Sequence, residues 1–256
     1  MALNTKSQPP ALRVSGLGFR VGGAEILSEI DLVVEKGSFL GIIGPNGAGK
    51  TTFLNLVSGL LEPTAGTVEL EGRDLSGVAP SARARLGMGR TFQTSSLFNS
   101  LSVLENARIS AQARLGGNMK IWRRPRANDE ATCAAREALE SVGLSDMAER
   151  VTGSLSHGDK RKLELAILLA AEAQVLLLDE PMAGVNTEDV PMLTSLIGRL
   201  HHEGRTVLMV EHHMAVVIGL AEKVAVLNYG RLLAWGDPDS VMADETVQSA
   251  YLGEPL

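Results

Sequence analysis

Short apolar runs punctuate this chain at residues 39–43, 175–179, 206–211 and 223–227. Runs of this length without polar alternation predict strands buried on both faces. Residues 12–34 read differently, as edge strands around a Gly22-Gly23 turn, and residues 67–70 as a further strand. Helical spacing of apolar positions is predicted from Lys50 to about Leu60 and again over residues 189–203. Strands alternating with helices in this order imply an α/β fold with a mainly parallel sheet. Between Ser102 and about Ala173 strand-like runs vanish and helical patterns dominate, broken by a loop at residues 116–129. That block is therefore expected as a helical insertion between two parts of one sheet. Residues 1–10 read as a flexible tail, and the chain shows no internal repeat.

The first apolar run opens directly into Gly44-Pro45-Asn46-Gly47-Ala48-Gly49-Lys50-Thr51, which fits the pattern G-x-x-x-x-G-K-[ST]. Each part of that pattern has a physical task. The glycines let backbone N–H groups curl around phosphate oxygens. The helix that follows turns its positive end toward the same anion. Lys50 is expected to reach the β- and γ-phosphates of a nucleotide, with Thr52 completing the loop, and the Thr51 hydroxyl to ligate Mg²⁺. A strand before the loop and a helix after it are the context this motif needs.

The run at residues 175–179 ends in Asp179-Glu180-Pro181. Two acids at the carboxyl end of a buried strand are costly unless they meet a cation. In an open α/β sheet that end of the strands is also where ligands bind. Asp179 is therefore expected to serve Mg²⁺, directly or through water. Glu180 is then placed to polarise an attacking water as general base.

Composition narrows the class without naming it. The 256 residues are 45% hydrophobic and 21% charged, with a formal net charge of −6. An acidic balance argues against a general nucleic-acid binder. Cys133 is the single cysteine, so no intrachain disulfide can form, and it reads as a small apolar helix residue. The N-terminal residues carry no apolar signal-peptide core. The most apolar stretch, residues 163–178, is interrupted by Glu164, Glu172 and Gln174, which argues against a membrane span. The expectation is a soluble protein whose membrane role, if any, runs through a partner.

Taken in order, the motifs resemble those of the ATP-binding subunits of ABC transporters, over about residues 11–253. The phosphate loop is followed by Thr91-Phe92-Gln93, similar to the family's glutamine loop, and then by Leu155-Ser156-His157-Gly158-Asp159, similar to its signature motif L-S-G-G-Q. The acid pair follows. Ala183-Gly184-Val185-Asn186 resembles the loop that crosses the family's dimer interface, and Val210-Glu211-His212 its switch-histidine segment. The resemblance implies a P-loop NTPase fold: a RecA-like core of about residues 11–93 and 174–253, an antiparallel β edge, and a helical subdomain of about residues 94–173. It further implies that Gln93 contacts Mg²⁺ or the attacking water, and that His212 holds the γ-phosphate. Ser156 and Gly158 would contact the γ-phosphate of the ATP held by a second ATPase subunit. ATP and Mg²⁺ are the implied cofactors. Two membrane permease subunits and, indirectly, a solute-binding protein are the implied partners, with the chain peripheral on the cytoplasmic face of the cell membrane.

The sequence departs from the family pattern at three positions. His157 replaces the signature's first glycine, Asp159 replaces its glutamine, and Val21 stands where many relatives place an aromatic ring under adenine; Phe19 is the nearest aromatic. Gly89-Arg90-Thr91-Phe92-Gln93-Thr94, Glu180-Pro181-Met182-Ala183-Gly184, Glu211-His212-His213-Met214 and Ala250-Tyr251-Leu252-Gly253-Glu254 resemble the branched-chain amino acid importer group, as its longer ATPase subunit. ATPases of urea importers and of the lipopolysaccharide exporter are similar, and a soluble ABC-family regulatory ATPase is the alternative of another class. The basic run Lys120-Ile121-Trp122-Arg123-Arg124-Pro125-Arg126 reads as a solvated loop, the alternative being contact with anionic headgroups or a membrane subunit.

Overall fold

The structure is a computed structural model that describes residues 8–91, 97–115 and 129–252. Phe92, Gln93 and Thr94, the greater part of the expected 116–129 loop with its basic run at 120–126, residues 1–7 of the expected tail, and Gly253 and Glu254 lie outside these residues.

The main sheet has six strands in the order β10-β9-β3-β8-β7-β6. β3 (Phe39–Ile43), β7 (Val175–Asp179), β8 (Thr206–Val210), β9 (Lys223–Asn228) and the short β6 (Met88–Arg90) run parallel, and β10 (Arg231–Gly236) closes the edge antiparallel to β9. All five residues of each of β3, β7 and β8 are buried, because successive side chains point to opposite faces and both faces are covered. Phe39 and Ile43, Leu176 and Leu178, Val207 and Met209 feed one hydrophobic cluster. Leu40 and Ile42, Val175 and Leu177, Leu208 and Val210 feed the other. A one-residue slip in any of these strands would exchange its two sets.

A second, antiparallel sheet has the order β2-β1-β4-β5, with β1 at Leu12–Val21, β2 at Ala24–Val34, β4 at Ala65–Leu70 and β5 at Arg73–Asp74. Val21 pairs with Ala24 across the Gly22-Gly23 turn, as the sequence led us to expect. These strands are the expected antiparallel part of the fold, form a four-stranded sheet, and their apolar face joins the second cluster.

The helix after the phosphate loop, α1, spans Lys50–Ser58 and stops two residues before the expected Leu60. Gly59 caps it in the left-handed region, its N–H donating to Leu56 O at 3.1 Å. A short α2 (Pro80–Arg85) precedes β6. The helical block contains α3 (Val103–Leu115), α4 (Glu130–Ser141) and α5 (His157–Ala170), which pack on one another, with short 3₁₀ turns at Ser145–Met147 and Thr152–Ser154. Cys133 lies on α4 but exposed, so the expected apolar packing role does not hold. The expected helix at 189–203 is α6 (Val190–His202). Beyond it come α7 (Met214–Leu220), α8 (Pro238–Met242) and α9 (Glu245–Leu252). No helix among the described residues is long and apolar enough to cross a membrane.

Candidate nucleotide site

A cavity of about 350 Å³ opens at the carboxyl ends of the parallel strands, lined by Asn46, Gly47, Ala48, Gly49, Lys50, Thr51 and Thr52 with Ile26, Glu180 and His212. The loop that forms it depends on two close approaches. Gly44 has φ +151°, and a Cβ there would stand 2.1 Å from Leu227 O; a Cβ on Gly49, φ +98°, would stand 2.6 Å from Leu27 Cδ2. Side chains at these positions would push the loop off β9 and β2 and open the curl of its N–H groups.

Lys50 is buried beneath the loop, where its ammonium donates to Gly44 O at 2.7 Å and Pro45 O at 2.9 Å. Burial lowers its pKa, and the carboxylates of Glu180 and then Asp179 oppose that shift. Gly44 and Pro45 thus anchor the lysine rather than line the cavity. The N-terminus of α1 begins at Lys50, so the loop N–H groups and the helix dipole point into the same space.

Asp179 ends β7 and is almost fully buried, at 1% exposure. Its N–H donates to Thr91 Oγ1 at 3.1 Å, and its Oδ2 accepts from Arg90 Nη2 at 2.9 Å. Burial raises its pKa, with the Arg90 guanidinium opposing. Its Oδ1 has no hydrogen-bond partner among the described residues. A buried carboxylate oxygen left without a partner fits a cation, since such an atom otherwise bears the full desolvation penalty. Magnesium held by one carboxylate, a hydroxyl and substrate phosphates is the usual arrangement of such sites.

Glu180 follows immediately, with φ +49°, a backbone region that non-glycine residues rarely occupy. Its N–H donates to Val210 O at 2.9 Å, which holds the strained turn against β8. Its Oε1 lies 2.9 Å from His212 Nε2 at the cavity wall. Behind this pair sits Glu211, at 2% exposure. Its Oε1 accepts from Met182 N at 2.7 Å and its Oε2 from His212 N at 2.9 Å and His213 N at 3.3 Å. One buried carboxylate therefore ties the loop after Glu180 to the segment that carries His212.

Ser156 and Gly158 do not line this cavity. Ser156 caps α5, its Oγ accepting from Asp159 N at 3.1 Å and donating to Asp159 Oδ2 at 2.8 Å. Gly158 packs on Asp189, whose Oδ2 would lie 3.1 Å from an added Cβ. Arg161 on the same helix reaches Ala183 O at 3.2 Å and Glu164 Oε2 at 2.8 Å, joining α5 to the loop after Glu180. Gln93 lies outside the described residues. Val21 is 56% exposed and Phe19 half-buried.

Arg90, Glu211 and Arg161 are the residues that sequence reasoning gave no role. The signal for Arg90 was the cost of burying Asp179, which calls for a nearby cation, but nothing in the residue order says which one.

The geometry is that of a P-loop nucleoside triphosphatase: a glycine-rich loop opening a helix, with an acid pair on the strand two places away in the sheet. Residues 27–183 match the ABC transporter family. The chain is 38% identical over 251 residues to the high-affinity branched-chain amino acid transport ATP-binding protein LivG of Salmonella typhimurium, covering 96% of this chain and 98% of that one. It is equally similar, at 38% with the same coverage, to the corresponding protein BraF of Pseudomonas aeruginosa. A solved ATP-binding cassette of an ABC transporter in its ADP conformation superposes with a TM-score of 0.84 at 28% identity, covering 95% of this chain and 99% of that chain. The chain belongs to the ABC transporter family, as an ATP-binding subunit with the family's nucleotide-binding ATPase fold.

Proposed function

We propose that this chain hydrolyses Mg-ATP in a dimer of ATPase subunits and couples that cycle to uptake of branched-chain or other hydrophobic amino acids. The observation that carries the ATPase reading is the Glu180–His212 pair, 2.9 Å apart on the wall of the phosphate-loop cavity. The substrate reading rests on the similarity to LivG and BraF over nearly the full length of each.

In this reading the N–H groups of residues 46–52 and the Lys50 ammonium hold the phosphates, with the Gly44 and Pro45 carbonyls anchoring the lysine. Thr51, Asp179 and Gln93 would hold Mg²⁺, which supplies charge neutralisation on the phosphate oxygens when bound. Glu180 takes the proton of the attacking water, and His212 orients Glu180 and contacts the γ-phosphate. A carboxylate held by a neighbouring imidazole in a fixed, strained turn does not need to reorganise before it acts. Ser156 and Gly158, absent from their own chain's cavity, serve the ATP of a second subunit in a homo- or heterodimer. Residues 94–173 form the helical subdomain that faces the permease subunits on the cytoplasmic side, and residues 11–93 with 174–253 form the core.

The reading is tested by co-expressing the chain with its membrane and ATPase partners in vesicles and following ATP-driven uptake of labelled leucine. Phosphate release that is stimulated by a leucine-loaded binding protein supports it. Phosphate release indifferent to any hydrophobic amino acid, with transport of another solute class, removes the substrate assignment and leaves the ATPase assignment standing.

A further inference from the structure

Arg90 is a buried guanidinium with two different tasks in one fork. Its side chain is 6% exposed and pairs with Asp179, 1% exposed, at 2.9 Å. Its Nη1 donates to Ser58 Oγ at 2.7 Å while its Nη2 donates to Asp179 Oδ2. Ser58 is the last residue of α1, and its hydroxyl donates in turn to Leu54 O at 2.7 Å. The guanidinium on β6 thus braces the far end of the helix that begins at the phosphate loop against the carboxylate that ends β7.

The brace selects between the two oxygens of Asp179. Oδ2 is taken by Arg90, and the backbone N–H of Asp179 is fixed by Thr91 Oγ1 at 3.1 Å. Oδ1 is buried with no partner among the described residues. A carboxylate free to rotate would offer either oxygen to a cation. This one is held so that a single oxygen remains to be satisfied, and a planar fork that is pre-organised and always charged suits the task better than a flexible ammonium. Burying an ion pair of this kind is seldom a net stabiliser against an apolar pair of the same volume, so its presence calls for a reason other than stability.

We propose that Arg90 is a positioning residue for the divalent cation: it fixes which oxygen of Asp179 faces the metal and ties that orientation to the phosphate-loop helix through Ser58. The inference rests on the reading of Asp179 as a Mg²⁺ ligand. Arg90 itself touches neither nucleotide nor metal in this account.

The test uses the full chain and a fluorescent ATP analogue, with three readouts: affinity in EDTA, the Mg²⁺ midpoint at which binding tightens, and thermal midpoint. Partners that orient a metal ligand from behind typically contribute about 10- to 100-fold in metal affinity. Arg90→Met is expected to raise the Mg²⁺ midpoint by about that factor while affinity in EDTA changes less than about twofold. Arg90→Lys keeps the charge but cannot span both partners, and is expected to fall between, which serves if the methionine variant does not fold. Ser58→Ala removes the brace to α1 together with the hydroxyl's bond to Leu54 O, leaves the Arg90–Asp179 pair in place, and is expected to shift the midpoint in the same direction by less. Asp179→Asn is the control. If it raises the Mg²⁺ midpoint and the Arg90 variants lower only the thermal midpoint, the guanidinium is merely structural and the inference is overturned. If Asp179→Asn leaves the midpoint unchanged, the reading of Asp179 fails first and the inference falls with it.

Discussion

The phosphate-loop cavity and the start of α5 make an instructive pair. Both present a helix N-terminus with a glycine-containing turn before it, and both carry motifs that the ABC resemblance assigns to ATP. In the cavity, side chains from the start of α1 and from the segments after β7 and β8 converge from positions far apart in sequence: Lys50, Glu180 and His212, with Asp179 at the end of β7 acting on the Lys50 ammonium. At the start of α5 the polar groups turn to one another instead. Ser156 Oγ engages Asp159, and Asp159 Oδ1 accepts from Lys162 Nζ at 3.1 Å, all within the first turns of one helix. A helix terminus becomes a site when other elements bring groups to it. The difference is what the proposed shared site would require, with one chain holding the nucleotide and α5 of a second subunit completing it.

The largest way to probe that contrast is Glu180→Gln, which keeps shape and removes the base. Phosphate release is expected to fall about 10²–10⁴-fold, with ATP binding retained because Lys50 and Thr51 remain. Near-parental phosphate release by this variant would assign the base elsewhere, to His212 or Gln93. Next in size is Lys50→Ala. It removes a charge-assisted contact and takes the Lys50 donor from the carbonyls of Gly44 and Pro45, the latter keeping Ala48 N at 3.2 Å. Nucleotide affinity is expected to fall by about 10- to 100-fold, measured on the isolated chain. Equal affinity in parent and variant would contradict the assignment of the cavity.

Ser156→Ala acts on the other member of the pair. Loss of an N-cap costs about 1 kcal/mol of helix stability, so a small drop in thermal midpoint is expected. Nucleotide affinity of the isolated chain should be unchanged, while hydrolysis in the assembled dimer falls. An affinity loss in the isolated chain would place Ser156 in its own protomer's site and erase the contrast.

How much of this was visible in the residue order follows from how local each signal is. β3, β7 and β8 are apolar runs bounded by loops, and their double-sided burial needs no knowledge of neighbours. The phosphate loop is equally local. β6 was missed because Met88-Gly89-Arg90 is too short to show a period, and it becomes a strand only by pairing with β7. β10 was missed because its turn at Tyr229 and Gly230 uses left-handed backbone at both residues, which Tyr does not advertise. The braces were illegible for the same reason. Arg90 and Asp179 are 89 positions apart, and Glu211 meets Met182 across 29. Only the register of the parallel sheet brings them together.

The smallest effect is expected at Val21, and it bears on the base of the nucleotide, for which the described lining residues include no Phe, Tyr or Trp. Val21 ends β1 beside the Gly22-Gly23 turn and is 56% exposed. Ile26, on the paired strand a few residues on, lines the cavity wall. An aromatic ring at Val21 would therefore stand on the hairpin that brings Ile26 to the cavity wall, where a nucleobase could lie against it. Stacking adds about 0.5–1.5 kcal/mol beyond the area buried. Val21→Tyr is thus expected to tighten ATP binding about 2- to 10-fold. Inorganic tripolyphosphate, which has no base, should bind parent and variant alike. That second ligand separates stacking from any change in the phosphate loop. Tighter binding of both ligands would point to a rearranged loop. No change with ATP would mean that the base lies elsewhere, and the exposed end of β1 would drop out of the site.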